Sequence, residues 1–348
     1  MKFKFRFTAA LLAGTVLIGS VCCACTPAGN QQQVKTIHIG VSLYRRDDTF
    51  ITSMCEYLEA AAKKAEQKTG RKIVLNILDS QSNQSQQDDQ VDTFLSQNYD
   101  AICVNMVDRT SAGTIADKAR KANVPLIFFN REPVEQDLQS WVKAFYVGAD
   151  AAQSGTLQGQ LIVNAYRKSP RSIDRNGDGK IQYVVLEGEQ GHQDSLLRTE
   201  YSIKAVEEAG IRTDKLASSS ANWQRAQASV KMKQWIQQFG SRIETVFCNN
   251  DDMALGAIDA LYDSKVAKKN WPAVVGVDGT PSGLDAIRSG TMLGSVYNNA
   301  QKQAEAVLAL SLNSEKVPSG FQLQRGHYIY VPYKSITKEN SKEYDSIS

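Results

Sequence analysis

Several signatures of chemistry are missing from this 348-residue chain. It contains no G-x-S-x-G nucleophile turn, no H-E-x-x-H zinc pair and no P-loop. The stretch "GTPSG" at 279–283 resembles a phosphate loop but lacks the G-K-[ST] that completes one. Histidine is scarce, with three in all (His38, His192, His327), so acid–base work would fall mainly on carboxylates. Cysteine is scarce too. Beyond residue 25 only Cys55, Cys103 and Cys248 remain, with no C-x-x-C pair, which excludes the usual zinc and dithiol redox motifs. Each of the three sits in an apolar strand or on an apolar helix face, the setting of a small buried hydrophobe. A surplus of positive charge is also absent. Residues 1–24 carry Lys2, Lys4 and Arg6 and no acid; without them the 40 basic residues fall to 37 and match the 37 acids. A nucleic-acid binder usually carries a basic surplus or stripe.

What is present starts with an export signal. "MKFKFRF" is basic, "TAALLAGTVLIGSV" is apolar, and "CCAC" follows. The apolar run is short for a membrane span of about 20 residues and fits a signal peptide over residues 1–24. The cysteines after it resemble a bacterial lipobox. Ala24 is the small residue needed before a lipidated Cys25; Cys22 and Cys23 follow larger residues. Residues 25–35 read as a polar tether.

From residue 36 onward, short apolar strands alternate with amphipathic helices: "TIHIGVSL", "KIVLNILD", "AICVNMV", "AFYVGAD", "IQYVVLEG", "TVFCNN" and "AVVGVD" each lead into a helical stretch, and "PLIFF" follows one. Continuous apolar strands between amphipathic helices predict parallel sheets covered on both faces. With 42% hydrophobic and 22% charged residues, the composition is that of a folded soluble protein. The tally exceeds one compact sheet, so the expected fold is α/β with two doubly wound, Rossmann-like lobes. Ligands of such folds sit beyond the carboxyl ends of the strands. The polar residues ending these strands, Asp79, Asn130, Asn250 and Asp278, therefore predict a shared cleft, although each alone is also an ordinary helix cap or turn former.

Other features admit two readings. In "GEQGHQDSLLRTEY", His192, Asp194 and Arg198 follow a strand and enter a helix. They are either a cap with an i,i+4 surface pair or donors and acceptors for a polyol, since charged groups bond hydroxyls strongly. Phe50, after Asp48 in "RRDDTF", and Trp223, in "SANWQRAQ", follow strands in the two halves. They are either core residues or aromatic planes for the apolar faces of a sugar ring. "DRNGDGKIQ" places Asp174, Asn176, Asp178 and Gly179 as the first half of an EF-hand loop does. The twelfth position, where a bidentate Glu belongs, is Val185. The stretch is either an Asx/Gly turn or a metal loop closed from elsewhere.

Taken in order, "GVSLYRRDDTF", "DSQSNQSQQDDQVD", "PLIFFNREP", "YVGAD", "DRNGDGKIQYVVLEGEQGHQDSLLRTEY", "IETVFCNNDDMALGA", "VVGVDGTPSGLDAI" and "LGSVYNNAQKQA" resemble the bacterial periplasmic galactose/glucose-binding proteins, of the type I periplasmic binding protein fold. The likeness runs from about residue 36 to 335. It implies two lobes joined by a three-strand hinge, 36–147 with 299–330 and 148–298 with 331–348. Sugar contacts would fall on Asp48, Phe50, Asn130, His192, Asp194, Arg198, Trp223, Asn250, Asp278 and Asn298. A structural calcium ion would take Asp174, Asn176, Asp178, the Lys180 carbonyl, Gln182 and Glu244.

The function implied is a monomeric, membrane-anchored lipoprotein with no catalytic role. It would bind D-galactose and D-glucose outside the cytoplasmic membrane and deliver them to an ABC permease, or to a sensor kinase or chemoreceptor. Two rivals come from other classes. A sugar-responsive repressor would need a helix-turn-helix and basic surface, which the export signal and neutral charge oppose. A glycoside hydrolase would need a positioned pair of carboxyl groups; Asp48, Asp194 and Asp278 supply carboxylates without a motif that pairs them.

Overall fold

In the computed structural model, residues 36–317 and 319–347 are described; the export signal, Cys25 and the tether lie outside them. The first half of the chain alternates strictly. It runs β1 (Ile37–Leu43), α1 (Thr49–Thr69), β2 (Ile73–Asp79), α2 (Gln84–Ser96), β3 (Ala101–Val104), α3 (Ala112–Ala122), β4 (Leu126–Phe129), the short α4 (Glu135–Gln139) and β5 (Ala144–Gly148). The pattern then repeats as α5 (Ala151–Lys168), β6 (Lys180–Glu187), α6 (Gln193–Glu208), β7 (Arg212–Ser220), α7 (Arg225–Phe239), β8 (Thr245–Cys248), α8 (Asp251–Asp263), β9 (Ala273–Val275), α9 (Pro281–Arg288) and β10 (Gly294–Tyr297). Last come α10 (Ala300–Leu312), β11 (Tyr328–Tyr330) and β12 (Lys334–Thr337).

The strands form two six-stranded sheets, ordered β11-β5-β4-β3-β1-β2 and β12-β10-β9-β8-β6-β7. Every pairing is parallel except β10 with β12. The chain passes between the sheets three times: after β5, between β10 and α10, and between β11 and β12.

The period-2 geometry of a strand explains why these runs are apolar throughout. On β3, Ala101 and Cys103 face a core with α1 and α10, while Ile102 and Val104 face the opposite core with α2 and α3. On β6, Ile181, Tyr183 and Val185 face one core and Val184 and Leu186 the other. Each sheet is thus buried on both faces. Cys55, Cys103 and Cys248 are buried free thiols within these cores. Burial pushes the Cys55 thiol up to about 11 and the Cys103 thiol to about 12, so both stay protonated and inert.

Candidate functional site

The carboxyl ends of the strands of both sheets meet in one cleft. From the first lobe, the turn after β1 brings Tyr44 and Asp48. Asp48 caps α1, its Oδ1 accepting the Ile51 N–H at 3.0 Å, and its Oδ2 accepts the Tyr44 hydroxyl at 2.6 Å. Cap and cleft residue are therefore one and the same side chain. Phe50, in the first turn of α1, is 8% exposed. After β4, Asn130 adopts a left-handed φ of 61°. Its backbone carbonyl accepts the Tyr146 hydroxyl at 2.9 Å, and its Oδ1 accepts Nδ2 of Asn105 at 3.1 Å. This fixes the amide so that its own Nδ2 is left for the cleft.

The second lobe supplies most of the charge. His192 caps α6, and its Nδ1 accepts the Asp194 N–H at 3.1 Å. Burial and the guanidinium groups of Arg131, Arg198 and Arg109 hold its pKa well below the ordinary value. A neutral ring with Nδ1 accepting carries its proton on Nε2, so His192 offers the cleft a donor. One turn on, Asp194 and Arg198 pair at 2.9 Å, both almost fully buried. Arg198 also donates to the Asn249 carbonyl at 2.8 Å and the Tyr333 hydroxyl at 3.0 Å, and lies 4.0 Å from Asp278. Burial opposes its charge, but Tyr333, Asp194 and Asp278 more than offset this. Burial raises the pKa of Asp194 and of Asp278, with Arg198 opposing in both cases.

Trp223 completes the second wall. Its backbone has a left-handed φ of 64°, and the Nδ2 of Asn250, which also caps α8, donates to its carbonyl at 3.2 Å. Its ring meets the His192 imidazole edge-on at 5.1 Å. Gly188, at the end of β6, makes room: a Cβ there would stand 2.1 Å from the indole.

Nine of the ten residues named from the sequence line this cleft. The tenth, Asn298, stands behind Asp278, donating from Nδ2 to its Oδ1 at 3.3 Å and accepting Nε2 of Gln303 at 2.6 Å. Asp79 does not belong. It ends β2, an edge strand one position outboard of β1, and its Oδ1 closes a turn by accepting the Gln81 N–H at 2.8 Å. Sequence reading missed two lining residues, Tyr44 and Arg131. The Arg131 guanidinium lies 3.6 Å from the Tyr44 ring centre, donates to the Val107 carbonyl at 3.0 Å and pairs with Glu189 of the other lobe at 2.7 Å. Arg131 directly follows Asn130, and Tyr44 directly follows β1; reading one residue further at each strand end finds both.

The loop at 174–182 is shaped by its own oxygens. Asp174 accepts the N–H groups of Gly177 at 2.6 Å and Gly179 at 3.0 Å. Asp178 accepts from Lys180 N–H at 2.9 Å and from Gln182 Nε2 at 2.8 Å. Glu244, 1% exposed, reaches in from just before β8 and accepts the N–H groups of Arg175, Asn176 and Gln182 at 2.7, 3.1 and 3.0 Å. The donor set around this loop is all hard oxygen, the chemistry calcium takes, and in that respect the residues fit the ion. Among the described residues no three His, Cys, Asp or Glu side chains gather closely enough to hold a metal on their own. The set relies on the Asn176 and Gln182 amides, which here bond each other at 2.9 Å, and on a backbone carbonyl. Asn176 presents its Nδ2 to Asp178 and Gln182, so its amide would have to turn over to serve.

Comparison with known proteins converges on one family. Residues 39–314 match the periplasmic binding protein domain. The chain is 38% identical over 307 residues to the D-galactose/methyl-galactoside binding periplasmic protein of Haemophilus influenzae, covering 87% of this chain and 90% of that one. It is 30% identical over 340 residues to the xylitol-binding protein of Mycolicibacterium smegmatis, covering 98% of this chain and 88% of the relative. Among solved structures, an ABC transporter solute binding protein from Bacillus halodurans with bound myo-inositol superposes with a TM-score of 0.76 at 27% identity, covering 91% of this chain and 100% of that one. The chain belongs to the periplasmic binding protein family, whose members capture solutes and do not transform them.

Proposed function

We propose that the protein binds D-galactose and D-glucose in the cleft between its lobes and hands them to an ABC permease. The observation that carries this reading is the pairing of Phe50 from one lobe with Trp223 from the other across a cavity otherwise walled by hydroxyl-matching side chains. A pyranose has two apolar C–H faces and a polar equator, which suits two aromatic planes and a polar rim. Asp48, Asp194 and Asp278 accept from hydroxyls; Asn130, His192, Arg198 and Asn250 donate. Asn298 acts through Asp278. Because only the closed form completes both walls, the sugar shifts the lobes toward closure, and the permease reads that shape. Calorimetry with a sugar panel tests the reading. Heat with galactose and glucose is the expected result; no heat with either, but heat with ribose or inositol, overturns it.

Two further parts belong to this proposal. Calcium would be held by Asp174, Asn176, Asp178, the Lys180 carbonyl, Gln182 and Glu244, supplying a cross-link between the loop and the strand region before β8. Cys25 would carry the lipid that anchors the protein to the outer face of the cytoplasmic membrane. Mass spectrometry of the mature amino terminus checks the second: an unmodified terminus, or one starting at Cys22 or Cys23, removes Cys25.

A further inference from the structure

Some of the bonds that join the two lobes are made by side chains that do not face the solute. Thr49, the first residue of α1 in one lobe, donates its hydroxyl to Asp252, in the first turn of α8 in the other. Arg131, just after β4, donates from Nη2 to Glu189, in the turn after β6, at 2.7 Å. Thr49, Asp252 and Glu189 lie outside the cleft lining. Each nevertheless stands beside a residue that belongs to it. Thr49 sits between Asp48 and Phe50, Asp252 two positions after Asn250, and Glu189 three before His192. Each bond therefore clamps a solute-facing turn of one lobe to a solute-facing turn of the other.

Both bonds are held by their surroundings. The Arg131 guanidinium is fixed within its own lobe by the Val107 carbonyl and the Tyr44 ring, which leaves Nη2 to reach across. The Arg131 side chain is 9% exposed and that of Glu189 25%, so the pair escapes much of the screening that weakens surface pairs. Tyr44 in turn donates its hydroxyl to Asp48. The Glu189 bond is thus linked, through Arg131 and Tyr44, to a carboxylate that faces the solute. On the other pair, Asp252 is placed where a helix favours an acid, at the amino-terminal turn of α8.

We propose that Glu189 and Asp252, bonded to Arg131 and Thr49, form a two-point latch that holds the lobes together whichever sugar lies between them, and so set affinity and residence time without touching the solute. The inference rests on the cleft being where the solute is held. A bond made only with the lobes together favours the closed form, and every ligand of that form gains by the same factor. Such a bond must break before the solute leaves but is not yet made when the solute arrives. Its effect therefore falls on release.

Calorimetry and stopped-flow kinetics on the whole protein, with galactose and with glucose, test the latch. Thr49→Val and Glu189→Ala should each weaken both sugars by the same factor, about three- to tenfold, as loss of one net hydrogen bond does. The two pairs share no partner, so the double variant should multiply the two factors. The loss should appear as faster release with arrival nearly unchanged. Thr49→Ser keeps the hydroxyl and should keep the wild-type release rate. Unchanged release in the double variant overturns the latch. A galactose-to-glucose affinity ratio altered by either variant also overturns it, because the residues would then be solute contacts. So does a Thr49→Ser variant as impaired as Thr49→Val. If neither hexose binds and another polyol does, the hexose reading fails, and release rates measured with that polyol decide the latch separately.

Discussion

The two lobes share a strand order but not an interior. Set side by side, β2-β1-β3-β4-β5-β11 and β7-β6-β8-β9-β10-β12 differ only in the direction of the last strand. The polar groups beneath their strand ends differ far more. In the first lobe a neutral network lies beside the buried charge of Arg131: Ser42, Ser80 and Gln90 bond one another, and Gln87 ties Ser42 to the Asn105 carbonyl. In the second they include charges: Asp194, Arg198, Asp251 and Asp278 are all at least nine-tenths buried. Buried charges must be paired or bonded before any ligand arrives. The second lobe is therefore the preorganised half of the site. The first lobe closes over it with Asp48, Phe50, Asn130 and Arg131.

The largest expected effect breaks the charged half. Arg198→Met leaves Asp194 and Asp278 buried without their cation. Losing one partner of a buried pair costs about 3–5 kcal/mol, so the melting temperature should fall sharply and sugar binding should vanish. A stable variant that still binds would mean that the cluster is incidental to the site. Next come the two aromatics. Trp223→Ala should cost about 2 kcal/mol or more of binding, as removal of a buried aromatic anchor does. Phe50→Ala should cost less, because its ring lacks the imidazole and guanidinium neighbours that fix the indole. Equal losses by calorimetry would contradict the asymmetry between the lobes.

Much of this was legible in the sequence because it rests on local rules. Strands such as "AICV" and "LIFF" are apolar throughout since both faces are covered, and the polar residue just beyond marks the cleft. Asp79 shows where that rule fails. The polar residue after a strand reports a strand end, while sheet order, a non-local property, decides whether that end meets the cleft. The last part of the chain was the least readable. β11 and β12 are 3 and 4 residues long, too short for periodicity, and α10, packed against α1 and the first sheet, is polar in its first half and mostly apolar from Ala306 on, which blurs its period. The cross-lobe contacts of Arg131 had no sequence signal either, since Glu189 lies 58 positions away.

Smaller effects sharpen the comparison. Chelation should lower the melting temperature through the second lobe alone, and Glu244→Gln should remove that sensitivity. Hydrogen exchange localises it: protection lost around β6 and β8, with β1 and β3 unchanged, is the expected pattern. A melting curve indifferent to both chelator and added calcium would remove the ion.

The gentlest probe is pH, and it separates the lobes without a large lesion. Asp251 is fully buried with no cation bonded to it; the Ser295 and Thr280 hydroxyls and the Thr280 N–H are its donors. Burial pushes its pKa up to about 7, those hydrogen bonds opposing. A raised folded-state pKa means that the fold prefers the neutral acid. The stability it contributes is therefore full below about pH 4, its unfolded value, and is lost as pH rises through about 7. In Asp251→Asn that dependence should disappear. Wild-type stability measured by denaturant should decline relative to the variant between pH 4 and pH 7. Parallel pH profiles for the two proteins would show that the charge is carried at no cost, and that the second lobe is no more electrostatically strained than the first.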